Sequence, residues 1–429
     1  MMQQKKNSRF WLSLVIFSLA GQVAWVVENM YFNVFIYKMF HASAGEISLM
    51  VGASAAAATV TTLLIGALSD KLGKRKIFIC GGYILWGFSI WSFTLIRQDL
   101  VGSLFPMASA AAVCVTLTIL LDCVMTFFGS SANDACFNAW LTDVSDDTNR
   151  GRVEGINAMM PLVAILVVFG GFMGFDLNRA ESWSTIFTVI GIVMVVIGVA
   201  GFFLIQEPRV QTSENQSYFG NIFYGFRPNV VRENRQLYQT LVVLALFNIS
   251  IQIFMPYLIL YYTVTLGIEN YVLIFAPAIL LAAIFTALYG RVYDSKGFIP
   301  AIVPTLVMLM VGYVGLYFVK DIIPVFLVSL LMMCGYLGTG AVIGAKVRTH
   351  TPANKSGMFQ GLRIFGQVLI PGIIGPGIGA WILRNADTIL NDDGTTSFVP
   401  DRNIFLGALL AIAVVWPMLL VLKEKKNRK

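Results

Sequence analysis

The sequence predicts an all-α membrane protein of twelve transmembrane helices arranged as two pseudo-symmetric six-helix bundles. Three observations carry that expectation. Apolar residues make up 57% of 429 while charged residues are only 12%, about half of what covers a water-facing surface. Apolar runs of about 20 residues, the length needed to cross a bilayer core as a helix, recur along the whole chain. The longest hydrophilic stretch, Gln206–Arg235, divides those runs evenly. In lipid only helices and closed barrels satisfy their backbone groups, and strand-type alternation is absent, so the runs are helices.

The spans are expected near 11–39, 47–69, 77–97, 105–141, 153–175, 183–205, 236–266, 271–291, 300–318, 322–345, 358–383 and 403–422. The first begins after Lys5, Lys6 and Arg9 and runs on without a small-residue cleavage site, which distinguishes it from a signal peptide. Residues 104–141 are long for one helix and short for two, and are read as one. An even number of spans puts both Lys-rich termini on one side. Counting Lys and Arg then gives 23 on that side against six on the other (Lys38, Arg97, Arg179, Lys320, Arg384 and Arg402), which makes it the cytoplasmic side. The expected domains are residues 1–205, a cytoplasmic linker 206–235 with room for a short interfacial helix, and residues 236–429. The expected location is the bacterial cytoplasmic membrane.

Several function classes fall away. The net charge of +7 is spread over short loops between spans and forms no patch or stripe, so nucleic acid is not a partner. The five cysteines lie in apolar runs without metal-ligand spacing and are read as packing residues. No GxxxxGK[ST] segment exists, since Gly73-Lys74-Arg75 lacks the glycine spacing and the hydroxyl. His41 and His350 fall in loops, and no nucleophile constellation appears, so the chain is expected not to be an enzyme and to need neither cofactor nor metal.

The two halves repeat each other. Gly66-Ala-Leu-Ser-Asp70-Lys-Leu-Gly73 follows the second span and Gly290-Arg-Val-Tyr-Asp294-Ser-Lys-Gly297 follows the eighth. Gly151-Arg-Val-Glu-Gly155 opens the fifth span and Gly357-Met-Phe-Gln-Gly361 opens the eleventh. Internal duplication of this kind is a recurring transporter design, with the solute site between the repeats. The loop Gly66–Lys76 resembles the GxxxDRxGRR loop of the major facilitator superfamily, with Lys71 in the first basic position. The resemblance covers the whole chain and implies that fold and a gating role for Gly66, Asp70, Gly73, Lys74, Arg75 and Asp294. On this reading Gly66 allows close helix approach, Gly73 a tight turn, and Asp70 pairs with a base or a helix end across the half interface.

Within that superfamily the stretch Asp134-Ala-Cys-Phe137 through Arg150-Gly-Arg152 is similar to the fourth-span segment of the glycoside–pentoside–hexuronide cation symporters, which include the melibiose carriers. That subfamily also often has a basic residue in the eleventh span, where Arg363 stands. Sodium-coupled members carry two second-span carboxylates four residues apart; the matching positions here are Ala58 and Thr62, which argues against sodium.

Four ionisable residues lie well inside spans: Glu28, Asp122, Asp134 and Arg363. A charge at the bilayer centre costs about 2.5–3.5 kcal/mol on insertion scales, so each is expected to face a cavity or a partner. Either a structural ion pair or cation handling satisfies that requirement. A carboxyl group away from water favours its neutral form and is suited to exchange a proton. Asp134 is the favoured coupling acid, with Glu28 a substrate contact or a second proton site and Arg363 their counter-charge. Polar stripes accompany the charges. Gln22, Trp25, Asn29 and Asn33 share a face of the first span beside Glu28. Ser130, Asp134 and Asn138 form one stripe on the fourth, and Asp122, Thr126 and Asn133 another. Asn248 and Gln252 lie on the seventh, Tyr336 and Thr339 on the tenth, and Arg363 and Gln367 on the eleventh. The family resemblance implies that the first, fourth, seventh and tenth spans line a central cavity, and Trp25, Tyr31, Phe127 and Phe137 offer rings for stacking on a sugar. Each polar residue serves equally as interhelical glue. The reading is a monomeric rocker-switch carrier that moves a small solute, a sugar or glycoside, with a proton. Its rivals are a proton-driven exporter of drugs or lipid-like solutes on the same fold, and a membrane sensor or scaffold that has lost transport.

Overall fold

The structure is a computed structural model and describes residues 8–107, 109–145, 149–207, 226–351, 362–391 and 394–422. Among the described residues twelve helices are long and apolar enough to cross a membrane. The first six run Ser8–Phe40, Ala44–Leu72, Lys76–Leu95, Ala110–Val144, Gly151–Phe172 and Ala180–Leu204. The rest run Arg235–Thr265, Val272–Lys296, Phe298–Phe318, Ile322–His350, Leu362–Leu383 and Asn403–Leu420. The chain divides into two compact units: Met1–Ala42 with Ala53–Gln216, and Ser43–Gly52 with Ser217–Lys429.

The fourth span is a single helix, but it starts at Ala110 rather than near residue 105. Pro106 has no N–H to give, and Ser109 accepts from Ala112 N to cap the new start. A separate short helix, Gln98–Leu104, fills the loop before it. Another, Pro228–Glu233, occupies the described end of the expected linker; residues 208–225 lie outside the described residues. His350 sits in the last turn of the tenth span, not in a loop. Between the eleventh and twelfth spans the chain forms a small antiparallel hairpin, Thr388–Leu390 with Thr396–Phe398, which the span reading passed over. The repeat motif Gly357–Gly361 lies outside the described residues.

Within the first unit the third span packs on the sixth and fourth, and the first packs on the fifth and sixth. Within the second unit the ninth packs on the tenth and the seventh on the eleventh and twelfth, the same partnerships moved on by six spans. Hydrophobic exclusion cannot drive this packing in lipid, so close backbone approach does. A Cβ added at Gly87 would lie 2.6 Å from the Gly191 carbonyl oxygen, which leaves no room for any side chain at that crossing. The eleventh span uses the same device, since a Cβ at Gly375 would lie 2.4 Å from Gln252 Cβ. Large side chains on the outer surfaces, among them Leu120, Val196, Leu288 and Leu410, are exposed as a hydrocarbon-facing surface requires. At one end of the first unit Phe32, Phe35, Phe93, Trp183 and Phe187 close into an aromatic cluster with centroids 4.6–5.8 Å apart.

Candidate functional site

Two of the intramembrane acids sit where their helices leave α geometry. Glu28 lies in a π-helical turn, Val27–Tyr31, and Asp134 in a longer π-helical segment, Ser130–Phe137. A third such turn, Phe365–Leu369, begins two residues after Arg363 and contains Gln367. π turns are rare inside helices and are frequent at functional sites. A fourth covers Tyr261–Thr265 at the end of the seventh span.

In the first unit the acids share one polar seam. Glu28 and Asp122 are buried, and Asp134 is half-buried. Ser54 Oγ, from the second span, donates to Glu28 Oε1 at 2.6 Å, and Thr126 Oγ1 approaches the same oxygen at 2.8 Å. The two hydroxyls are themselves 2.9 Å apart. Glu28 Oε2 and Asp122 Oδ1 are buried and have no hydrogen-bond partner. Asp122 lies within electrostatic reach of Glu28, and Glu28 within reach of Asp134. Ser130 Oγ donates to Asp134 Oδ2 at 3.0 Å, and Asn133 Nδ2 approaches Oδ1 at 3.4 Å. The Trp25 indole N–H lies near the same carboxylate but is buried without a hydrogen-bond partner.

The two expected stripes of the fourth span therefore merge. Asp122, Thr126, Ser130 and Asp134 run at intervals of four along one face, and the π segment keeps Asp134 in line. Leu120, Val124 and Phe127, exposed on that helix, mark a different, apolar face. Asn133 turns inward: its Oδ1 lies 3.1 Å from the Tyr83 hydroxyl, which also bonds the Phe17 carbonyl at 2.6 Å. Gly21 makes room for it, because a Cβ there would lie 2.5 Å from Asn133 Oδ1.

The remaining candidates divide by exposure. Asn29 and Asn138 are exposed, and each turns its amide nitrogen back to a carbonyl one turn earlier. Gln22 is half-buried, while Asn33 is buried with Nδ2 on the Asn29 carbonyl and Oδ1 without a partner. Phe137 is 1% exposed, stacked against Phe17 at 6.0 Å and Trp140 at 5.7 Å, so its faces pack within the unit. Tyr31 is likewise enclosed, by Phe169 and Phe172. In the second unit Arg363 Nε donates to Gln367 Oε1 at 3.0 Å, and Tyr336 stacks on Phe247 at 6.0 Å. Asn248 Nδ2 is buried without a partner, and Gln252 is half-buried against the eleventh span.

The loop after the second span is built around Arg75 rather than Lys71. Arg75 is 4% exposed; it pairs with Asp70, with Asp143 at the end of the fourth span (Nε to Oδ2, 3.0 Å), and with the Ser69 hydroxyl. Lys71 and Lys74 are exposed. The Glu207 carboxylate, just beyond the sixth span, accepts from the backbone N–H groups of Arg75 and Lys76 and so caps the third span's N-terminus. Burial by itself would lower the Arg75 pKa, but the Asp70 and Asp143 charges outweigh it and hold it above its ordinary value. Asp70 thus finds its base within its own loop. Gly73 has φ +64°, the left-handed turn expected of it. Gly66 is not needed for close packing, since a Cβ there would meet Ala135 Cβ at an ordinary 3.7 Å. In the second loop Gly297 also has positive φ, and Asp294 is exposed with no ion pair among the described residues.

Ser54, Tyr83, Asp143 and Glu207 escaped the sequence reading. A serine four residues before Ala58 on the second span's face was the available signal for the first; the others needed coordinates.

The family description Major Facilitator Superfamily matches residues 10–376. The chain belongs to the major facilitator superfamily. Comparison with curated protein sequences finds no significant match. Among solved structures, this superfamily member is similar to a bacterial homologue of the human lysosomal transporter Spinster in an inward-facing, occupied conformation. That likeness has TM-score 0.72 and 15% identity, covering 98% of this chain and 97% of that one. It is also similar to the nucleoside transporter NupG, with TM-score 0.69 and 12% identity over 96% and 99% of the two chains. At such identities the likeness establishes the fold. The chain is an integral membrane transporter of this superfamily, whose members carry small molecules through a bilayer.

Proposed function

We propose that this transporter moves a sugar or glycoside together with a proton, by alternating access of its two six-span units, from a cytoplasmic membrane in which both termini face the cytoplasm. The observation that carries the reading is the seam Glu28–Asp122–Asp134: acids in the apolar span region whose hydrogen-bond partners are hydroxyls and an amide, with no base paired to them among the described residues. Structural ion pairs would pair such charges with bases. Groups that must bind and release a proton are better served by neutral partners that accept either state. Asp134, half-buried and held by Ser130, is the coupling acid, and Glu28 is a second proton position. The amide and aromatic residues Gln22, Trp25, Asn29, Asn33, Asn138, Asn248, Gln252, Tyr336 and Gln367 suit a hydroxyl-rich solute, and Arg363 supplies a cation to the second unit. Likeness of the Asp134–Phe137 segment to the melibiose-type symporters supports the solute class.

The test is uptake into proteoliposomes of purified protein from a panel of sugars and glycosides, under an imposed pH or sodium gradient. Accumulation driven by the pH gradient and abolished by Asp134→Asn is expected. Accumulation driven by sodium alone, or undiminished in Asp134→Asn, contradicts the proposal.

A further inference from the structure

The ring of three oxygens around Glu28 contains more contacts than an ionised glutamate can serve. Glu28 Oε1, Ser54 Oγ and Thr126 Oγ1 are separated by 2.6, 2.8 and 2.9 Å, each a hydrogen-bond length for oxygen pairs. Three such contacts need three hydrogens. Each hydroxyl brings one, and neither hydroxyl has a hydrogen bond outside the ring among the described residues. If Glu28 were ionised, both would point at Oε1 and the Ser54–Thr126 edge would hold two oxygens facing each other with nothing between. A proton on Oε1 closes the circuit, with the carboxyl donating to one hydroxyl, that hydroxyl to the other, and the last back to Oε1.

The surroundings agree. Glu28 Oε2 is buried without a partner, which is far more costly for a carboxylate than for the carbonyl oxygen of a neutral carboxyl. The charged groups that reach Glu28 are both acids, Asp134 and Asp122; the Cys123 thiol is the other titratable neighbour. Asp122 is 1% exposed, and two adjacent carboxyls removed from water do not both ionise.

Resting on the proton-coupled reading above, we infer that Glu28 is the seat of a stored proton, and that Ser54 and Thr126 are its positioning residues, closing a three-member ring only when that proton is present. The ring deepens the coupling scheme: half-buried Asp134 exchanges protons, while Glu28 holds one sealed beside Asp122. Release opens the ring: the second span's Ser54 and the fourth span's Thr126 then both donate to Oε1, and the contact between the two hydroxyls is left without a hydrogen. Loss of the proton is thereby linked to the packing between those spans.

The experiment is pH-difference infrared spectroscopy of the full-length protein in lipid vesicles, without solute, from acid to alkaline pH. A protonated carboxyl C=O band at neutral pH is expected. It should disappear in Glu28→Gln, and should persist but shift in frequency in Ser54→Ala and Thr126→Val, which remove one ring member each. Absence of such a band at neutral pH, its survival in Glu28→Gln, or its removal by sodium at fixed pH overturns the inference. An unshifted band in both hydroxyl variants overturns the role of the ring. The readout needs no transport, so a band behaving as expected in a protein that moves no solute would refute the transport proposal and leave the proton site standing.

Discussion

Replacing Arg75 by alanine should destabilise the first unit more than any other change in the loop. Its guanidinium is almost fully buried and serves three partners at once. The pair with Asp70, whose side chain is 64% exposed, is worth at most about 1 kcal/mol because water screens it. The contact with Asp143, 26% exposed, is a charge-assisted hydrogen bond in a less solvated place and is worth about 1.5–3 kcal/mol. Together these give about 3 kcal/mol for Arg75→Ala. For a unit of roughly 200 residues, this corresponds to a fall in Tm of about 9 °C. Asp70→Asn should cost less than about 3 °C, with Asp143→Asn in between. The assay is thermal melting in detergent followed by tryptophan fluorescence, to which Trp86, Trp140 and Trp183, all buried in this unit, contribute. Equal losses in Asp70→Asn and Arg75→Ala, or an unchanged Tm in Arg75→Ala, would refute the reasoning that the buried side of the hub carries the stability.

Gly21→Ala should push Asn133 and Tyr83 apart, at an overpacking cost of about 1–3 kcal/mol, and weaken pH-driven uptake; normal melting and uptake would show that the seam tolerates a methyl group. Gly73→Ala forces a side chain into a left-handed turn at φ +64°, and should lower Tm by the equivalent of about 1 kcal/mol while Gly66→Ala leaves it unchanged; the two variants melting alike would contradict this. The side-chain hydrogen bond from Arg97 holds the Asp99 carboxyl below its ordinary range. Because the folded value is the lower one, the stability gained is present above the unfolded value of about 3.9 and is lost as pH falls through the folded value. Asp99→Asn should therefore match the parent protein only in strong acid, and any difference that grows as pH falls below about 4 contradicts the assignment.

Span number and order were legible because hydrocarbon imposes a length and an apolar composition on every crossing, and both can be read residue by residue. The GxxxD loop was legible for the same kind of reason, since Gly73 and Asp70 are local requirements of one turn. The site was legible only in part. Glu28, Asp122 and Asp134 stood out as charges in apolar runs, but their partners belong to other helices. Ser54 reaches Glu28 from the second span, and Glu207 reaches the third span's first turn from beyond the sixth. A regular helical period also misassigned the fourth span's faces, because the π segment Ser130–Phe137 shifts the register after Gly129. Deviation from 3.6 residues per turn leaves no mark in composition. The partner of Asp70 was expected across the half interface; sequence spacing does not show that the loop turns Arg75, five residues on, back to meet it.

The coupling claim is met most directly by recording pH outside proteoliposomes loaded with no gradient when a transported sugar is added. Inward movement of solute should carry protons with it, so the lightly buffered medium should turn alkaline in the parent protein and stay flat in Asp134→Asn. A solute flux with no pH change in the parent protein, or an equal pH change in Asp134→Asn, would contradict the account.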